Sequence, residues 1–165
     1  MKKIILISII LIFLTGCGGL FNLNNFAIPD DIDFLNMIES LQTPEEICRY
    51  MADNFEFEDH AFKTLTPYEL FILKKGDCDD FSAFATFIAH YHGYEVYQIK
   101  MEMSFFINHA IGVFKEGNCY NVSNTIYYLN YEWKDFEDIM NAFVNWKSYI
   151  VYDYNMNIVE KGYNN

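Results

Sequence analysis

Residues 74–94, KKGDCDDFSAFATFIAHYHGY, set Cys78 among Asp77, Asp79 and Asp80 directly ahead of a helical pattern. Phe81, Phe84, Ala85 and Ile88 fall at i, i+3, i+4 and i+7, which makes one apolar stripe on a helix ending near Gly93. Asp77 is the natural N-cap and Cys78 the first helical residue. A thiol in this position is a buried inert group, a metal ligand or a nucleophile. The helix end, with free N–H groups and partial positive charge, favours thiolate, whereas neighbouring carboxylates oppose it. A cation is needed to tip the balance.

Upstream, two helix starts are written the same way. Thr43, Pro44 and Glu46 in TPEEICRYM supply an N-cap, a first-turn proline and a closing acid, and Thr66, Pro67 and Glu69 in TPYELFILKKG repeat them, with Gly76 as the expected stop. A shorter helix is expected over residues 31–41. Downstream the period changes: YEVYQIKM alternates as a strand, and NHAIGVF, KEGN and CYNVSN read as two strands joined by a tight turn. The C-terminal part offers a helix over residues 135–146, then SYIVYD and NIVEKG as a final hairpin. Helices followed by an antiparallel sheet imply an α+β domain.

His109, at the start of NHAIGVF, is the candidate cation for Cys78. An imidazolium beside sulfur forms the ion pair used by cysteine nucleophiles, and a third residue then holds the ring in its working tautomer. If the hairpin turns about Glu116 and Gly117, Asn124 stands opposite His109 on one face, Cys119 pairs with Phe114, and Ser123 faces the other side. A register slip of one residue exchanges Asn124 and Ser123.

The stretch GDCDDFSAFATFIAHYHGYEVYQI, followed by NHAIGVF, a hairpin and a polar residue, resembles the core of the bacterial transglutaminase-like superfamily, with its papain-related order of Cys, His and Asp. The resemblance covers roughly residues 43–128. It implies a papain-like α+β core, with Cys78 as nucleophile and His109 as general base. Family members usually carry Asp at the third position, in a sequence such as Asp-Pro-Thr, where this chain has Ser123-Asn124-Thr125. Counting back from the threonine gives the role to Ser123. The hairpin register gives it to Asn124, and Asn orients the imidazole in papain-like enzymes.

No metal or other cofactor is expected. The acids after Gly76 begin like a calcium loop, but the closing acid would fall at Ile88 and the required glycine at Ser82. They are expected to cap the helix and bond nearby backbone. His90 and His92 are read as surface residues, and Cys48 as a small buried residue of the second helix.

The chain has 165 residues, enough for one ordinary domain, with 16 Phe and 13 Tyr to supply its core. Its ends add a location. Lys2 and Lys3 precede an apolar run over residues 4–14, well short of the roughly 20 residues of a spanning helix. Leu14-Thr15-Gly16-Cys17 resembles the lipobox of bacterial lipoproteins, which implies cleavage after residue 16 and acylation of Cys17. The expected organisation is a signal peptide over residues 1–16, a lipidated tether over 17–29 and one domain over 30–165. The formal charge of −12 disfavours nucleic acid and anionic headgroups as partners, so the lipid must hold the protein at the extracytoplasmic face of the membrane.

Of the four cysteines, Cys48, Cys78 and Cys119 remain beside Cys17, an odd number and not a disulfide framework. The resemblance implies a thiol enzyme acting on amide bonds of a protein or peptide, such as a cell-wall peptide. It would be a protease or amidase if water resolves the thioester and a transglutaminase if an amine does. The altered third residue favours the other expectation, an inactive binding or scaffolding lipoprotein of the same fold.

Overall fold

A computed structural model describes residues 22–60, 63–103 and 108–164. The expected signal peptide, Cys17 and the start of the tether lie outside them. Three capped helices open the domain: α1 (Ile32–Ser40), α2 (Pro44–Asn54) and α3 (Pro67–Leu73). Asp31 caps α1, and both threonine capping boxes are formed, each with proline in the first turn. Two short strands, β1 (Glu56–Phe57) and β2 (Lys75–Gly76), pair in parallel on either side of α3.

The helix of the opening stretch, α4 (Cys78–Tyr91), has Asp77 as its N-cap. It is buried on every side: all residues from Cys78 to Ala89 are buried, beyond the single stripe legible in the sequence. α4 lies between α2 and α3 on one side and the sheet on the other, and that position explains the burial.

The sheet is built from β3 (Glu95–Met103), β4 (Asn108–Glu116), β5 (Cys119–Asn124), β6 (Tyr127–Trp133), β7 (Trp146–Asp153) and β8 (Ile158–Tyr163). Its order is β6-β5-β4-β3-β7-β8, antiparallel throughout. A short helix, α5 (Phe136–Asn141), covers the other face. Alternation along β4 divides its residues between the two layers. Phe114 joins the core around α4 with Phe34, Ile47, Met51, Phe81, Phe84 and Ile88, while Ile111 and Val113 join the α5 core with Ile99, Val122, Ile139 and Val151. Each large apolar side chain so buried stabilises the domain by about 1.5–3 kcal/mol.

Several details depart from the sequence expectations. α3 stops at Lys74, which takes the left-handed conformation (φ 59°), and Gly76 belongs to β2. The lysine gains a compensating contact, its Nζ lying 3.9 Å over the Phe71 ring. Gly76 is needed for space: a Cβ there would stand 2.6 Å from Asp80 Oδ2 and 2.8 Å from Leu70 Cδ1.

α5 is shorter than residues 135–146, because Asn145 turns left-handed (φ 63°) and Trp146 already begins β7. β6 is an added strand that no alternation announced, since most of its residues are half-buried or exposed. Finally, part of the expected tether is packed. Leu23 is buried, and Phe26 meets the rings of Phe34 and Phe87 edge-on.

Candidate active site

The start of α4 is held by its own acids. Asp77 Oδ1 accepts from Asp79 N at 2.9 Å, and Asp80 Oδ2 accepts from Asp77 N at 2.8 Å, closing a reciprocal cap around Cys78. Asp80 Oδ1 accepts from Leu65 N at 2.6 Å, which fixes the chain ahead of α3 to the helix start. Cys78 itself is 8% exposed.

His60, which the sequence reading passed over, completes this corner: its Nε2–H donates to Asp80 Oδ2 at 2.5 Å and lies 3.9 Å from Asp77 Oδ2. Burial opposes protonation of His60, but the bond to Asp80 and the charges of Asp80, Asp77 and Asp59 prevail and raise its pKa. No local pattern around DHAF signals this, because the partners are brought together only by the β1–α3 connection.

Asp77 pays for its place in charge. Its carboxyl is pushed up to about 6 by burial first, then by Asp80, Cys78 and Asp79, with His60 partly offsetting them. The donor atoms of His60, Asp77 and Asp80 lie within 4.8 Å of one another, so this group could supply metal ligands. In the structure both oxygens of Asp80 and the imidazole of His60 are already engaged as described, and the three serve as a brace between the loop and the helix.

Across from the helix start stands His109, the second residue of β4. It is hydrogen-bonded to Cys78, and its Nε2–H donates to Asn124 Oδ1 at 2.7 Å. With Nε2 held by Asn124, Nδ1 is the ring nitrogen left for sulfur. Burial opposes the imidazolium, but the bonds to Cys78 and Asn124 and the charges of Cys78 and Asp79 outweigh it, so the His109 pKa is raised. The structure therefore joins Cys78, His109 and Asn124 in one chain of contacts.

The register that brings them together differs from the expected one. The β4–β5 turn is centred on Gly117 and Asn118, with Gly117 at φ 69°, and Cys119 pairs with Glu116 instead of Phe114. Its Sγ also donates to Glu116 O at 3.1 Å. The ladder is thus two residues from expectation, and a slip of two leaves every side chain on its face. Asn124 accordingly stands diagonal to His109 on the same face, while Ser123 is buried on the other, donating to Thr125 O at 3.0 Å and bonded to Cys48.

The remaining candidates are local. Cys48 is buried on α2, and burial pushes its thiol up to about 12. His90 is exposed and stacks on Tyr154, as expected of a surface residue. His92 is half-buried instead, with Nε2 2.9 Å from Ile38 O, because the helix end turns back toward α1.

Helices packed on an antiparallel sheet, with a cysteine at a helix start and a histidine on a strand beside it, make a mixed α+β fold. The likeness to a solved structure gives that fold as transglutaminase-like. Among solved structures the chain is similar to LapG of Legionella pneumophila, with TM-score 0.51 and 16% identity over 70% of this chain and 69% of that one. Calcium-bound LapG gives TM-score 0.49 at 16% identity over 70% and 69%, and EGTA-treated LapG 0.48 at 15% over 71% and 69%. No family model and no curated protein matches the sequence.

Proposed function

We propose that the protein is a cysteine enzyme that acts on amide bonds of a peptide or protein by acyl transfer. The observation that carries this reading is the position of His109, bonded at once to Cys78 and to Asn124. The likeness to LapG, a transglutaminase-like cysteine protease, supports the fold on which the reading stands.

The Cys78 thiolate attacks the carbonyl carbon, and the backbone N–H of Cys78 is one donor to the oxyanion that forms. As the tetrahedral intermediate collapses, the C–N bond breaks and His109 passes its proton to the departing amine, leaving a thioester on Cys78. Water, losing a proton to His109, then attacks the thioester; the acid departs and the thiol is restored. An entering amine in place of water gives transamidation. Asn124 keeps the imidazole directed at sulfur throughout.

The resemblance of residues 14–17 to a lipobox supports anchoring through acylated Cys17 at the extracytoplasmic face, which would place cell-wall peptides and surface proteins within reach. Among the described residues no helix is long and apolar enough to cross a membrane. A second reading, an inactive binding lipoprotein, is favoured by Asn124 standing where a carboxylate is usual in the family the sequence resembles.

Iodoacetamide alkylation of Cys78 across pH separates the two. For the enzyme, fast labelling persists well below the free-thiol pKa of about 8.5 and is lost in His109→Ala. A normal thiol titration, unchanged by His109→Ala, sinks the enzyme reading and leaves the binding module.

A further inference from the structure

A cleft of about 550 Å³ opens beside Asn124. Its walls are Leu129, Tyr131 and Trp133 of β6, Met103 at the end of β3, and Phe143 and Val144 after α5. Among the described residues no acid, lysine, arginine or histidine lines it. The polar groups its side chains bring are the Asn124 amide, the Tyr131 hydroxyl and the Trp133 indole N–H. Tyr131 and Val144 are left 70% and 74% exposed at its rim, apolar surface that an occupant would take out of water.

The cleft is continuous with the site already described. Asn124 is at once part of its wall and the partner of His109 Nε2. Phe143, on the opposite wall, has its ring 6.4 Å from the His109 ring. Neither Cys78 nor His109 is among the cleft's described walls; Asn124 links the cleft to the imidazole, and the imidazole contacts the sulfur.

That order fixes which part of a substrate reaches it. The acyl carbon bonds to Cys78, whereas the departing nitrogen must lie toward His109 to receive its proton. A residue on the amine side of the bond therefore extends past His109 toward the cleft.

Resting on the acyl-transfer reading, we propose that this cleft binds an aromatic or branched aliphatic side chain of the amine component. That component is the residue following the cleaved bond in hydrolysis, or the entering amine in transamidation. A lysine side chain finds no carboxylate here and is disfavoured. Leu129, Trp133, Phe143 and Val144 thereby set specificity on the leaving-group side.

The test needs no knowledge of the natural acyl group. The full chain in detergent is treated with p-nitrophenyl acetate, which forms acetyl-Cys78 with release of p-nitrophenol. Glycinamide, lysinamide, leucinamide or phenylalaninamide is then added at equal concentration. Each competes with water for the acetyl group, and N-acetyl product is measured against acetate.

The expected result is transfer to phenylalaninamide and leucinamide about tenfold or more above glycinamide, the discrimination an apolar pocket gives, with lysinamide near glycinamide. Val144→Asp, at an exposed position that tolerates substitution, is expected to bring the ratios to within about twofold of one another. Acetyl-Cys78 that transfers equally to all the amides, or a preference that survives Val144→Asp, overturns the cleft assignment while the thiol chemistry stands. Absence of acetylation at Cys78 overturns the acyl-transfer reading and this proposal with it.

Discussion

His109 and Asn124 bond to each other at 2.7 Å although they are not cross-strand partners. The ladder that pairs Gly112 with Ser123 would, if continued, set Asn124 against Ile111, so the imidazole reaches diagonally along one face of the sheet. Asn124 is the last residue of β5, and Thr125 turns left-handed directly after it (φ 56°). The amide is therefore fixed by a strand end and a turn, and its hydrogen bond decides which ring nitrogen faces Cys78.

Replacing that amide tests what it does. Asn124→Ala is expected to lower kcat on an amide substrate by about tenfold or more, the scale of a lost positioning contact in general acid–base catalysis. Asn124→Asp should restore most of the rate and move the alkaline limb of the pH profile upward. The sign follows from His109: its pKa is already raised by contacts that favour imidazolium, and a carboxylate favours imidazolium more than an amide does. Any stability from this contact is fully present below the unfolded pKa of about 6.5 and fades as pH rises through the folded value. An unchanged alkaline limb in Asn124→Asp would show that His109 is not the group titrating.

Asp77 follows the same pH sign, but here removing the charge is what stabilises. Its folded pKa of about 6 lies above the 3.8 of an unperturbed carboxyl, so the folded state binds this proton more tightly and the charge destabilises the fold above that range. Asn caps helices as well as Asp does. Asp77→Asn should accordingly raise Tm at pH 7–8, and the gain should shrink as pH falls through about 6 toward 4, where Asp77 becomes neutral in the folded wild type. A loss of Tm at pH 8 would mean that the carboxylate is favoured where it stands.

Much of this site could be read before folding because it is written locally. The capping residues of α2, α3 and α4 lie within a few positions of the groups they satisfy, and the structure places all three caps where the sequence puts them. The face shared by His109 and Asn124 was also legible, since a two-residue error in register does not change it. What the sequence hid is tertiary. His60 meets Asp80 only after α3 and its loop fold back, the left-handed turn at Asn145 shortens α5, and the apolar cleft is assembled from three separate segments.

Gly76 shows how tightly the corner is packed. An added Cβ would meet Asp80 Oδ2 and Leu70 Cδ1 below 3.0 Å, and both belong to buried residues. Gly76→Ala should destabilise the domain by about 1–3 kcal/mol, as small-to-large changes in filled sites do. Urea unfolding reads this as a lower midpoint at an unchanged slope. An unchanged midpoint would mean that Asp80 moves aside freely, against its bonds to Asp77 N and Leu65 N.

Those bonds also make His60 a brace whose strength depends on pH. Removing its imidazole deprives the buried Asp80 carboxylate of a charge-assisted partner, so His60→Gln should cost about 1–3 kcal/mol. Because the folded His60 pKa is raised, the difference between wild type and variant should be full below the unfolded value of about 6.5 and diminish as pH rises through the folded one. The same carboxylates are the group that could instead hold a cation. If His60 is their resident partner, wild-type Tm at pH 6 will be the same in EDTA and in millimolar calcium. A calcium-dependent rise, abolished by Asp80→Asn, would show that a metal displaces the imidazole.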